Sequence, residues 1–137
     1  MKKMLLVLFS SVLLFGCSPS DDDSGSSPYN PPTWIQGTWG LKASVNAYPN
    51  DIPYYKFTSD NVCQLIGGTY SSCWKETIQQ TPQFLSGSDS HTDNTYEAKF
   101  IQSNGATTLT LSFKKVSATK IIWVNTLGGN IELEKLK

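Results

Sequence analysis

Apolar and polar residues alternate along most of the chain. Trp39, Leu41, Ala43 and Val45 alternate with Gly40, Lys42 and Ser44, the period of two that marks a half-buried strand. Tyr55 and Phe57 alternate with Tyr54 and Lys56 in a second strand, which Ser59-Asp60-Asn61 ends. Val62 to Ile66 and Tyr70 to Gln79 flank Gly67-Gly68-Thr69, a hairpin signal. Phe84-Leu85 predicts a short strand, and the polar run from Ser86 to Asn94 predicts an exposed loop. Tyr96, Ala98 and Phe100 alternate with Glu97 and Lys99. Leu109, Leu111 and Phe113 alternate with Thr108, Thr110, Ser112 and Lys114, the cleanest amphipathic strand. Ile121 to Thr126 is apolar on both faces, and Ile131 and Leu133 alternate with Glu132 and Glu134. Turn residues recur at Tyr48-Pro49-Asn50-Asp51, Asn104-Gly105 and Gly128-Gly129-Asn130. Thr33 to Gln36 has room for one helical turn, and no long stretch has helical spacing. About eight short strands in sequential hairpins predict an all-β fold: a small up-and-down antiparallel β-barrel, with a β-sandwich as the alternative. A closed barrel would leave no free strand edge.

The first residues follow another pattern. Lys2 and Lys3 precede an apolar run from Met4 to Phe15, broken only by Ser10 and Ser11. A membrane span needs about 20 apolar residues, so this run is short for one and fits a cleaved secretory signal. Leu14-Phe15-Gly16-Cys17 resembles the lipobox of bacterial lipoproteins. The resemblance implies diacylglycerol on the Cys17 thiol, cleavage before Cys17, and a further acyl chain, such as palmitate, on the new amino group. One chain holds a protein only marginally; two or more hold it firmly. Ser18 to Ser27 contains nothing to bury and predicts a disordered tether. Asp21-Asp22-Asp23 behind the cysteine resembles the export signal of surface lipoproteins in the Bacteroidota. Residues 1–16 are thus expected to be a signal peptide, 17–33 a lipidated, acidic and Pro-rich tether, and 34–137 the barrel. The expected location is the outer membrane, lipid-anchored and facing the medium, with the periplasmic face as the alternative.

Charge narrows the partners. The leader carries two of the eleven Lys, leaving nine against eleven carboxylates, a net of −2; from Pro28 onward it is nine against eight, a net of +1. No basic patch is implied, which argues against nucleic acid. The chain has no Arg, the residue best suited to bidentate recognition of carboxylate or phosphate.

Ile35-Gln36-Gly37-Thr38-Trp39 resembles the Gly-X-Trp opening of lipocalins, in the Gly-Thr-Trp form of bacterial lipocalin-like lipoproteins. The likeness continues in Tyr55-Lys56-Phe57-Thr58, the late Thr108-Leu109-Thr110-Leu111 strand and Ile131 to Leu136. It implies a barrel closed at one end by Trp39, with Gly37 as part of that motif. The family's Arg that packs over this Trp has no counterpart here.

Three groups of residues remain. Cys63 and Cys73 flank the Gly67-Gly68 turn. If Gly67-Gly68-Thr69 is a three-residue loop, they face each other at disulfide distance, and an exported protein is oxidising enough to join them. Two Cys with no nearby His fall short of a zinc set, so no metal and no other cofactor is expected. His91, the one histidine, lies in Ser88-Asp89-Ser90-His91-Thr92-Asp93. Consecutive residues in a polar loop do not make a buried, oriented triad. Glu76, Glu97, Glu132 and Glu134 fall at outward strand positions with no sign that two converge, as a glycosidase pair must. A non-enzymatic role is expected. Tyr55, Phe57, Trp74, Tyr96 and Trp123 are the candidate lining of a ligand cavity. Binding of a small apolar ligand or a glycan at the open end is the leading expectation. A packed barrel serving as a structural or interaction protein, with an envelope protein as partner, is the alternative.

Overall fold

A computed structural model describes residues 26–44, 50–66, 69–124 and 127–137. Cys17, the leader and the acidic triplet lie outside these residues, as do Val45 and the first half of the turn at Tyr48–Asp51.

The fold is nearly all antiparallel β, as expected, with nine strands and one short helix. The strands are β1 (Gly37–Leu41), β2 (Ile52–Phe57), β3 (Val62–Ile66), β4 (Thr69–Cys73), β5 (Leu85–His91), β6 (Thr95–Gln102), β7 (Thr107–Lys115), β8 (Lys120–Val124) and β9 (Ile131–Leu136). The helix, α1 (Trp74–Gln80), lies between β4 and β5 in the chain. One sheet runs β4-β3-β2-β1-β9-β8-β7-β6-β5. Every sequential pair of strands is hydrogen-bonded except β4 and β5, and β1 pairs with β9 (Thr38 with Leu136, Gly40 with Glu134).

The sheet curls on itself. Tyr55 and Phe57 on β2 touch Phe113 on β7, each with ring centroids 5.1 Å apart, although three strands lie between β2 and β7 in the sheet. A single curled sheet with one interior is not a sandwich. It differs from the expected closed barrel in two ways: it has nine strands rather than about eight, and β4 and β5 do not pair. This seam is filled by α1 and by the segment before β1. Trp74 on α1 packs on Phe100 of β6 and on Tyr29, with centroids 5.3 Å and 5.7 Å apart. The Tyr29 hydroxyl donates to the Lys99 carbonyl at 2.9 Å, and the Asn30 amide donates to Asp89 at 2.6 Å. Pro31 and Tyr29 are fully buried. Packing against the sheet thus reaches back to Tyr29 and Pro31, ahead of residue 34.

Three elements depart from the alternation reading. The stretch Tyr70–Gln79 is not one strand: the chain leaves β4 at Cys73 and winds into α1, where Trp74 and Ile78 lie one turn apart and face the core. The expected loop over Ser86–Asn94 is mostly strand β5, fully paired with β6 from Leu85 to His91. Past Leu85 its inward positions carry no apolar signal. Gly87 leaves room for Tyr29, whose hydroxyl would lie 2.2 Å from a Cβ there, and Asp89 accepts from the Tyr96 hydroxyl at 3.0 Å. Finally, β1 ends at Leu41, short of Val45. The turn over Thr33–Gln36 does form, with Ile35 and Gln36 amides donating to the carbonyls of Pro32 and Thr33.

Candidate functional site

Four of the five residues expected to line a cavity belong to the core, and the fifth, Trp123, packs against it. Tyr55, Phe57, Trp74 and Tyr96 are each 3% exposed or less. Tyr55 meets Trp123 edge-on at 5.2 Å, and Phe57 meets Tyr96 at 5.7 Å, both in the geometry aromatic rings favour. Trp74 is apart from the other four, on α1 at the seam. Burial raises the Tyr55 hydroxyl pKa to about 12 and lifts those of Tyr29 and Tyr96 higher still; nearby Asp89 adds to both of the latter. Trp123 is only half-buried. It borders an open apolar groove of about 270 Å³ beside Leu109, where β7 runs on past its pairing with β8.

Gly37 and Trp39 lie on β1, where Trp39 pairs with Lys135 of β9. Trp39 is fully buried and its indole donates to the Ile35 carbonyl at 2.6 Å. Lys135 of β9 places its ammonium 5.4 Å from the Trp39 ring centroid, within cation–π range. Gly37 has φ +124, and a Cβ there would lie 2.6 Å from Lys135 Cε, so glycine serves both the backbone and the overlying side chain.

Cys63 and Cys73 are joined in a disulfide, with Cα atoms 4.0 Å apart. The facing register was expected from a three-residue loop. In the structure Ile66 pairs with Thr69, leaving two residues in the turn, and Ser71 is an extra residue that restores the pairing of Cys63 with Cys73. The disulfide ends where α1 begins, and Cys73 gives that helix no side-chain cap. Asn61 does so from the β2–β3 turn. Its Oδ1 accepts from the Lys75 amide at 3.0 Å and from the Val62 amide at 2.9 Å, and its Nδ2 donates to Glu76 at 2.7 Å. Glu76 is therefore a helical residue and not a strand one. Beside it Lys75 pairs with Asp60; that bond, with a second from Thr58, holds the Asp60 carboxyl below its usual range.

Strand alternation disperses the Ser/His/Asp run. Ser88 and Ser90 lie on the outer face, while Asp89 points inward to Tyr96 and Asn30. Among the described residues no three metal-ligating side chains come together, and no helix is long and apolar enough to cross a membrane.

A feature the alternation did not single out lies on the outer face of β5–β8. The registers put Ser90, Glu97, Ser112 and Val124 in one row across four strands. Their neighbours Tyr96, Ala98, Leu111 and Phe113 are buried, so this row faces outward. It forms a trough of about 310 Å³, bordered by His91 and Thr92 at one end and by Thr95 and Lys114. The Glu97 carboxylate accepts from Ser112 Oγ at 3.2 Å and pairs with Lys99 at 3.2 Å. The four residues come from four strands, and only the register brings them together.

Compared with known proteins, the chain matches no family model, no curated protein and no solved structure.

Proposed function

We propose that this is a lipid-anchored envelope protein whose packed, lipocalin-like barrel recognises its partner on the outside. The observation that carries this reading is the interior: Tyr55, Phe57, Tyr96 and Phe113 occupy one another's contact surface, in the volume an enclosed ligand would need. A close-packed interior of this kind stabilises the fold and leaves recognition to the surface. Anchoring rests on the lipobox resemblance at Cys17, and the acidic residues behind it support display on the outer membrane. The enclosed-ligand reading keeps one observation in its favour, the half-buried Trp123 beside an apolar groove.

Native mass spectrometry of the protein extracted in mild detergent from its own cells tests the reading. The expected species begins at Cys17, carries diacylglycerol and an amide-linked acyl chain, and holds no stoichiometric apolar molecule. A retained leader or an unmodified Cys17 overturns the anchoring. A small apolar molecule bound one to one overturns the packed-barrel role and restores the enclosed ligand.

A further inference from the structure

We infer that the outer trough over β5–β8 is a binding site for a neutral carbohydrate. The inference rests on the reading that recognition takes place outside the barrel, and it names the partner's chemistry.

The lining groups set that chemistry. Ser90, Thr95 and Ser112 bring hydroxyls, Glu97 a carboxylate and Lys114 an ammonium. Hydroxyls both donate and accept, and a carboxylate has about four lone-pair positions. Ser112 and Lys99 hold the Glu97 carboxylate in place and leave acceptor capacity for a sugar's paired hydroxyls. The lining itself carries one carboxylate, Glu97, and one ammonium, Lys114, and Lys99, which pairs with Glu97, lies outside it, so the trough selects strongly for neither an anion nor a cation. A phosphorylated ligand would also lack the Arg that suits it, since the chain has none. Val124 adds a small apolar wall against which the C–H face of a sugar ring can lie.

Size and rigidity agree with this. About 310 Å³ is the lower end of the range for small-molecule sites, enough for a short saccharide segment. The row lies on four hydrogen-bonded strands, so its groups are held in position before binding. A protein partner is less well served, because interface hot spots centre on exposed Trp, Tyr or Arg anchors, and the two aromatics here, Tyr96 and Phe113, are buried.

The test is saturation-transfer NMR on the full lipidated protein in a detergent without a sugar headgroup. The probes are neutral gluco-, manno-, galacto- and N-acetylglucosamine oligosaccharides. At least one series is expected to bind saturably at millimolar concentration or below. Glu97→Ala should weaken it about tenfold, the loss of one charge-assisted hydrogen bond. Ser112→Tyr should abolish it by filling the trough, and Ser86→Ala, on the same face of β5 but outside the trough, should leave it unchanged. Thermal melts establish that each variant is folded; should Ser112→Tyr unfold, Glu97→Ala and Ser90→Ala decide. No saturable binding to any neutral series overturns the inference, as does binding that Glu97→Ala and Ser90→Ala leave intact. A protein cross-linked through Ser90 or Ser112 with no sugar response also overturns it. Those outcomes leave the packed barrel standing, whereas a one-to-one apolar ligand in the native mass spectrum removes the reading beneath it.

Discussion

Asn61 does more than its place in the sequence implies. It is the one buried polar side chain among the described residues, and it satisfies two backbone amides and one carboxylate. Asn61→Ala removes the cap of α1 and leaves the Val62 amide unpaired in the interior. The expected loss is about 2 kcal/mol, read from the denaturant midpoint. Asn61→Asp keeps the acceptor but sets a second carboxylate against Glu76, so it should recover only part of that loss. Little of this was legible beforehand. Asn, Asp and Ser after a strand signal a turn, and so they proved, but the helix that Asn61 caps begins more than a turn's length further along. Only the fold brings the two together. Cys63 and Cys73 were legible because one hairpin sets their register, although the turn and the bulge that achieve it were not.

At the level of elements, the seam between β4 and β5 is the point of departure from a closed barrel. Two unpaired edges would invite pairing with other chains. Here α1 and the Tyr29 segment cover them, and the Cys63–Cys73 bridge fixes the strand from which the helix starts. The double substitution of Cys63 and Cys73 by Ser should cost about 2–3 kcal/mol, the entropy released by opening a loop of this size. Equilibrium unfolding checks it, and the loss should appear first as faster hydrogen exchange in α1 and β4. Strands β6, β7 and β9 were legible from alternation because one face of each meets the core. Helix α1 was not: its seven residues include only two core contacts, Trp74 and Ile78, too few to separate a period of 3.6 from one of two. Strand β5 was legible only at Leu85, since its next inward positions are held by a glycine that admits Tyr29 and a carboxylate bonded to Tyr96.

The molecule as a whole buries three tyrosines, Tyr29, Tyr55 and Tyr96, in the protonated form. In the unfolded chain these hydroxyls ionise near pH 10, whereas in the fold burial raises the pKa of Tyr29, Tyr55 and Tyr96. Above about pH 10 the unfolded state releases protons that the native state keeps. Stability therefore falls as pH rises, by up to about 1.4 kcal/mol per unit for each group, and is unaffected by them below that pH. Tyrosinate absorbance should rise in a cooperative step that coincides with loss of β-sheet circular dichroism; ionisation of all six tyrosines in a sheet that stays intact would contradict it. The outer trough stayed illegible for a reason of this same scale, because its row is assembled by three registers and by no motif. The pairing of β1 with β9 also bears on timing. Ile131–Leu136 joins β1–β4 to β5–β8, so a chain delivered from its N-terminus holds both halves of the sheet without the strand that unites them. Until that strand is in place, neither half is hydrogen-bonded into the sheet of the other, and the two meet only through side chains at the seam.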